Sequence, residues 1–94
     1  MAFEWHPQKA HSNLEKHGVS FEEAATVFED PFAEFLPDMR HSVSEDRYIC
    51  LGTSDQRKFL IIVFTEREDT VRIISAREMT PRERRAYEAR NPSA

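Results

Sequence analysis

The stretch RYICLGTSDQRKFLIIVFTEREDTVRIISAR, residues 47–77, decides the fold. It contains three runs rich in β-branched and aromatic residues, a composition that favours strands. The runs cover residues 47–53, 59–65 and 71–77, and the polar segments 54–57 and 66–69 separate them. Connections this short join antiparallel neighbours, so we predict a β-meander with a hairpin turn at each polar segment.

Ahead of the meander, residues 3–5 predict a short strand and residues 7–17 a first helix. Pro7 suits the first position of that helix, and Gly18 is a natural left-handed cap at its end. Ala10 and Leu14 recur four residues apart and predict its apolar side. The short strand with Phe3 and Trp5 and the first helix both lie ahead of the meander in the chain.

A second helix is predicted to begin at Ser20 and to stop at Asp30-Pro31. Ser20 and Glu23 have the spacing of a capping box, in which each side chain bonds to the other residue's backbone amide. Phe21, Ala24, Ala25 and Phe28 give this helix an apolar stripe. Residues 33–36 are again β-rich and predict the strand that leads into the meander.

The C-terminal segment predicts a third helix. Thr80 and Glu83 form a second capping box around Pro81, and the helix is expected to run to about Arg90, with residues 91–94 as a frayed tail. The predicted order is β-α-α-β-β-β-β-α. This order indicates one α+β domain over residues 1–94, a two-layer structure with an antiparallel sheet packed by helices.

Composition narrows the class of protein. The chain has 94 residues, 39% of them hydrophobic and 32% charged, which suits one folded domain rather than a disordered chain. Its one cysteine, Cys50, lies between Ile49 and Leu51 and is expected to be a core thiol in a reducing compartment. The longest apolar run is far shorter than a membrane helix, and the N-terminus does not resemble a signal peptide, so we expect a cytoplasmic location.

Charge is distributed unevenly along the chain. Residues 1–46 carry three Lys/Arg against ten Asp/Glu, whereas residues 47–94 carry ten Lys/Arg, nine of them Arg, against seven Asp/Glu. Such asymmetry favours a charged partner, and arginine binds phosphate in bidentate fashion. Solvated strand edges and a solvated helix face explain the same arginines equally well.

The opening residues and the end of the meander together resemble the BrnT family. Residues 3–24 contain Phe3-Glu4-Trp5, Asn13-Leu14, Lys16-His17-Gly18 and Phe21-Glu22-Glu23-Ala24; later come Arg47, Gly52, Thr65, Arg67, residues 72–77, Glu83-Arg84 and Tyr87. The pairing of the Asn-Leu-x-Lys-His-Gly helix end with the Arg-Ile-Ile-Ser-Ala-Arg strand is specific. His6 departs from the family, which usually has Asp at this helix-capping position, and we expect an effect on stability.

The resemblance implies a RelE-like endoribonuclease toxin of a type II toxin–antitoxin system. It further implies neutralisation by a BrnA-like antitoxin that carries a ribbon-helix-helix domain, and repression of the shared operon by the toxin–antitoxin complex. RNA would be the substrate, and operator DNA would be contacted through the antitoxin alone. A different interpretation is a non-catalytic module that docks an antitoxin and tunes repression. A DNA-binding regulator in its own right has less support, since no predicted helix is basic along one face and free of acidic residues, and no ribbon-helix-helix or helix-turn-helix pattern is present.

Metal-free RNA cleavage needs a base for the 2′-hydroxyl and cations for the charge on phosphorus. Lys16 and His17 are the candidate bases, and Arg67 and Arg77 are the candidates for holding the scissile phosphate. Arg47 and Arg72 are further candidates for binding RNA. Strand alternation places Arg77 on the face of Val71, Ile73 and Ser75, and leaves open which face is the core.

Structural roles explain several of these residues without any function. The helix dipole alone favours Lys16 and His17 at a helix C-terminus. Arg72 could pair with Glu66 or Glu68 across a hairpin. The last helix's arginines (Arg82, Arg84, Arg85 and Arg90) are expected to form a solvated face, and Trp5, Tyr48 and Tyr87 to pack in the core.

No cofactor or metal is expected. The four histidines do not have the spacing of a metal template, and the Asp38/His41 pair is common by chance. The chain also has no Gly-rich phosphate loop and no nucleophile elbow, which sets aside those enzyme classes.

Overall fold

The structure, a computed structural model, describes residues 1–39 and 46–93. Over these residues it contains five strands, three α-helices and a 3-10 turn. The strands are β1 (Ala2–Glu4), β2 (Glu34–Pro37), β3 (Tyr48–Thr53), β4 (Phe59–Arg67) and β5 (Thr70–Glu78). The helices are α1 (Pro7–His17), α2 (Phe21–Thr26) and α3 (Pro81–Arg90), and the 3-10 turn is Val27–Glu29. The predicted order of elements and the α+β class are confirmed.

The five strands form one mixed sheet in the order β1-β5-β4-β3-β2. Strands β2 to β5 are antiparallel neighbours, as predicted for the meander. The expectation of a wholly antiparallel sheet is wrong, because β1 pairs in parallel with the start of β5, Phe3 lying opposite Val71. Residues 5–69 separate these two strands along the chain, so no short hairpin fixes their relative direction.

One face of the sheet carries the core. Phe21, Ala24 and Val27 of α2 and the 3-10 turn pack there against inward residues of β3, β4 and β5. The buried strand residues are Cys50, Leu60, Ile62, Phe64, Val71, Ile73 and Ala76. Phe28 contacts the rings of Phe3, Phe35 and Phe64 and extends this layer to the sheet's edges.

The predicted packing of the three aromatic residues and the predicted burial of Cys50 are confirmed. Tyr87 is fully buried, and Trp5 and Tyr48 are half-buried against the core. Cys50 is also fully buried, and burial raises the pKa of its thiol to about 12, with a smaller contribution from the Asp30 carboxylate. The thiol is therefore protonated at neutral pH and serves as a small apolar group.

Gly52 lets β3 approach the end of the 3-10 turn. A Cβ atom at this position would lie 2.8 Å from Val27 Cγ1 and 2.9 Å from Asp30 Oδ2. Asp30 accepts a hydrogen bond from the amide of Thr53 at 2.8 Å, so the contact is part of the architecture. A larger residue at position 52 would push α2 and the turn away from the sheet.

A β-bulge in β5 changes which side chains share a face. Val63 lies opposite Ser75, but the next residue of β4, Phe64, lies opposite Ile73, so Ile74 is the extra residue. Val71 and Ile73 face the core before the bulge, and Ala76 does so after it. The prediction that Arg77 shares a face with Val71 and Ile73 is wrong for this reason. A bulge reverses the alternation along a strand and re-aims the residues that follow.

The predicted helix ends are confirmed, with one correction. His6 caps α1 by accepting the Gln8 amide on Nδ1, and Gly18 adopts the left-handed conformation at φ 70°. Ser20 accepts from the Glu23 amide, but the Glu23 side chain does not complete the capping box. Its carboxylate is buried and accepts a 2.7 Å hydrogen bond from the Ser54 hydroxyl, which ties α2 to the β3–β4 turn.

The C-terminus is held more firmly than predicted. Asn91 is half-buried, its amide nitrogen donates to Glu34, and its backbone amide caps α3, so the expected frayed tail does not begin at residue 91. Tyr87 donates to the Phe32 carbonyl and contacts Phe59, which fixes α3 over one end of the sheet's second face. None of the helices in residues 1–39 and 46–93 has the length and apolarity needed to cross a bilayer.

Candidate active site

A cleft of about 660 Å³ lies on the sheet face opposite the core. Aliphatic residues of β2, β3 and β4 form its floor. These are Leu36, Ile49, Leu51, Ile61 and Val63. Helix α3 contributes Glu83, Ala86 and Arg90, the C-terminal end of α1 contributes Lys16 and His17, and β5 contributes Ser75 and Arg77. The cleft thus has an apolar floor and several charged side chains along its walls.

Both predicted bases, Lys16 and His17, reach this cleft because α1 is fastened to β5. The buried side chain of Asn13 donates to the Ala76 carbonyl at 2.8 Å and accepts from the Ala76 amide at 3.1 Å. It also donates to the Val19 carbonyl at 3.0 Å, just past the helix end. Lys16 and His17 follow Asn13 by one helical turn and therefore stand beside Ser75 and Arg77.

Arg77 enters the cleft on the bulged end of β5 and is held by Glu83. Its two terminal nitrogens donate to the two Glu83 oxygens at 2.8 and 2.9 Å, and Nη1 also donates to the Glu78 carbonyl. The hydrogen bond from Arg77 is the main reason that the pKa of Glu83 falls to about 2. The same hydrogen bond raises the pKa of Arg77. Both groups are therefore ionised at any working pH.

The other three predicted residues lie at the opposite end of the sheet. Arg67 is exposed at the end of β4, six residues beyond Ile61, the strand partner of Arg77. At about 3.3 Å per residue this separates the Arg67 and Arg77 backbones by about 20 Å. Arg47 precedes β3 at the same end as Arg67. The structure thus brings together Lys16, His17 and Arg77 and does not bring Arg67 to them.

Arg72 is paired differently from the expectation. Its guanidinium bonds to Glu4 of β1, rather than to Glu66 or Glu68 across the β4–β5 hairpin. The parallel β1–β5 pairing places Glu4 directly opposite Arg72, which explains the choice of partner. Arg72 therefore has a structural role in joining the edge strand to the sheet.

Two arginines of α3, Arg84 and Arg90, also contact other side chains. Arg84 lies over the Phe59 ring at 4.0 Å from its centroid, and Arg90 forms an ion pair with Glu34 at 2.9 Å. That pair lowers the pKa of Glu34 and raises the pKa of Arg90. Both residues are exposed, as expected for a solvated helix face, and their contacts also secure α3 against the sheet.

Comparisons with known proteins identify the family and the fold of the chain. A family model described as "Ribonuclease toxin, BrnT, of type II toxin-antitoxin system" matches residues 5–83. The chain belongs to the BrnT family. It is also similar to the crystal structure of the Brucella abortus ribonuclease toxin BrnT, with a TM-score of 0.67 and 20% identity, covering 85% of this chain and 97% of that one. That identity supports a shared fold. Among curated proteins, no relative matches.

Sequence reasoning on this BrnT-family chain missed two cleft residues. Glu83 was recognised as a capping residue, and it does accept from the Thr80 amide at 2.8 Å, but it also holds Arg77. Asp38 lines the cleft as a buried carboxylate. Its position just after the predicted strand of residues 33–36 is the signal that the sequence offers for it. His41 lies outside the described residues.

Over residues 1–39 and 46–93, no group of three or more His, Cys, Asp or Glu side chains has an arrangement that could hold a metal ion. Of the two carboxylates in the cleft, Glu83 is already engaged by Arg77. The charged groups that line the cleft are the cations Lys16, Arg77 and Arg90 and the carboxylates Asp38 and Glu83. The guanidinium of Arg77 is the group that suits a phosphate.

Proposed function

We propose that this BrnT-family toxin cleaves RNA without a metal ion, and that the cleft between α1, β5 and α3 is its active site. The observation that carries the proposal is the convergence of Lys16, His17 and Arg77 in one cleft, although 60 or more positions separate Arg77 from the other two in sequence. Such convergence of a candidate base with a phosphate-binding cation is what the reaction requires. Because RNA is the proposed substrate, we propose that the toxin acts in the cytoplasm.

In this mechanism Lys16 or His17 removes the proton from the ribose 2′-hydroxyl, which attacks the adjacent phosphorus. Arg77 binds the non-bridging oxygens and stabilises the additional charge of the phosphorane. The 5′-oxygen then leaves, and the product carries a 2′,3′-cyclic phosphate. Arg67 and Arg47 are too far away to share this phosphate, and we propose that they contact RNA elsewhere.

We further propose that the antitoxin of this type II system is a BrnA-like ribbon-helix-helix protein. The complex of the two would repress its own operon, with the antitoxin supplying all the contacts to DNA. Support comes from family membership and from Lys16 and Arg77 in the cleft, whose charges favour a partner segment rich in carboxylates. Such a segment would compete with RNA for the same side chains.

The test is cleavage of a labelled RNA by the purified protein, in EDTA and after addition of the antitoxin. Cleavage should persist in EDTA, yield 2′,3′-cyclic phosphate or 3′-phosphate ends, and stop when the BrnA-like protein is added. Cleavage that disappears in EDTA and returns with Mg²⁺ or Mn²⁺ would show that the metal-free mechanism is wrong. A protein that binds the antitoxin but never cleaves RNA would support the non-catalytic interpretation.

A further inference from the structure

A second, shallower groove of about 520 Å³ adjoins the cleft along helix α1. It shares Lys16, His17 and Ser75 with the cleft, so the two depressions form one continuous surface. Beyond the shared residues, the groove is lined by His6 and Lys9 at the start of the helix, among others. Neither His6 nor Lys9 has a part in the proposed cleavage chemistry.

The geometry of α1 concentrates positive charge on this groove. Lys9 and Lys16 are seven residues apart, which is nearly two helical turns, so they project from the same face about 10 Å apart along the axis. Glu15 belongs to a different face, where it pairs with His11 at 2.9 Å. His11 and Glu15 are absent from the groove's lining. The helix therefore keeps its acidic residue away from the two lysines.

This arrangement stands out against the rest of the N-terminal half. Residues 1–46 contain only three Lys/Arg against ten Asp/Glu, and both of its cations within the described residues, Lys9 and Lys16, line the groove. His6 adds a further donor, because Nδ1 accepts the Gln8 amide and leaves the proton on Nε2. A polyanion approaching this acidic half would be attracted mainly to the α1 groove.

We propose that the α1 groove binds the phosphates of RNA nucleotides that flank the scissile phosphate, with Lys9 as the outer binding residue. The inference rests on the proposed function, because it takes the substrate of the adjoining cleft to be RNA. Successive phosphates of a single strand would run from Arg77 past Lys16 to Lys9. The groove would then determine how much flanking RNA the toxin uses.

The test measures binding and cleavage separately in Lys9→Gln, with Arg85→Gln as the charge-matched control. Arg85 is exposed on α3 and does not line the cleft or the groove. Binding is measured by fluorescence anisotropy with a ten-nucleotide 2′-O-methyl RNA, which lacks the attacking hydroxyl. Lys9→Gln should weaken this binding about fivefold or more. The slope of the logarithm of the binding constant against the logarithm of the salt concentration should become shallower by about 0.7, the value for one lost phosphate contact on a single strand. Arg85→Gln should match wild type.

Substrate length provides the second readout. Cleavage of a ten-nucleotide RNA by Lys9→Gln should lose catalytic efficiency, whereas cleavage of a dinucleotide, which cannot reach Lys9, should not change. Equal binding of the long RNA by Lys9→Gln and Arg85→Gln would overturn the inference, whether or not the wild-type protein cleaves RNA. If the wild-type protein cleaves no RNA but Lys9→Gln still binds RNA more weakly, the proposed RNA-binding role of the groove holds and the proposed catalysis is wrong.

Discussion

Arg77 has two hydrogen-bonding edges, and Glu83 occupies one of them. The carboxylate takes one N–H from each terminal nitrogen. The side edge, formed by Nε–H and the second Nη2–H, has no protein acceptor within the described residues. That edge has the geometry to receive two phosphate oxygens. Glu83 thereby fixes the orientation of the guanidinium without blocking the contact that the proposed reaction needs.

Replacing Glu83 with Gln separates this positioning role from helix capping. Glutamine also completes a capping box, so α3 should form normally, but the charged clamp on Arg77 is lost. We expect kcat to fall about tenfold or more with little change in KM, because small misplacements of a catalytic group are costly. The measurement is steady-state cleavage, with Glu88→Gln as the control on the same helix. A more active Glu83→Gln would contradict this role and show that Glu83 competes with phosphate.

Among the structural elements, the join between α1 and β5 does most to form the cleft. The pairing of β1 with β5 covers Thr70, Val71 and Arg72 and ends there. Further along β5, the side chain of Asn13 bonds to both backbone groups of Ala76, as a neighbouring strand would. The bulge at Ile74 lies in the same segment of β5. Together these two features place Lys16, His17 and Arg77 around one space.

Replacing Asn13 with Ala should test that join. The substitution leaves buried backbone groups of Ala76 and Val19 without their side-chain partner, and each such group costs about 1–3 kcal/mol. We expect the free energy of unfolding to fall by about 2 kcal/mol or more, measured by denaturant titration. Ser12→Ala, one residue earlier on the exposed side of α1, should change it by less than about 0.5 kcal/mol. Equal stability of the two variants would show that Asn13 does not fasten the helix.

Local signals in the sequence predicted most of the elements. Pro7, Gly18 and the Thr80–Glu83 capping box act within a few residues of themselves, and all were located correctly. The bulge at Ile74 could not be predicted in this way, because β-branched neighbours look the same in regular and bulged strands. The family motif contained Asn13, but its contact with Ala76 spans 63 positions and has no local signature.

The candidate site was only partly predictable for a related reason. Lys16, His17 and Arg77 line one cleft, and only the family resemblance groups them from the sequence, since nothing local connects them. Arg67 was grouped with them because strand order alone does not say which ends of two antiparallel strands adjoin a third element. The register places Arg67 opposite Thr70, at the end of β5 remote from Arg77.

Over the whole molecule, a net charge of −4 is compatible with RNA binding because the charges are segregated. The cleft and the α1 groove gather Lys9, Lys16, Arg77 and Arg90, while many acidic residues of the N-terminal half lie on other surfaces. Within the described residues, Lys9 and Lys16 thereby give the acidic N-terminal half a cationic surface that adjoins the cleft. The net charge of the chain argues against a nucleic-acid substrate, whereas the local positive charge of this surface favours one.

The central claim, that this cleft performs the chemistry, is tested most directly by the cleavage rate of Arg77→Ala and Lys16→Ala. Loss of one transition-state contact typically costs about a hundredfold or more in rate, so both variants should fall by that amount and no longer arrest growth. Arg85→Ala, which removes a charge outside the cleft, should cleave at the wild-type rate. If Arg77→Ala and Lys16→Ala have wild-type melting temperatures and still cleave RNA as wild type does, the active site lies elsewhere.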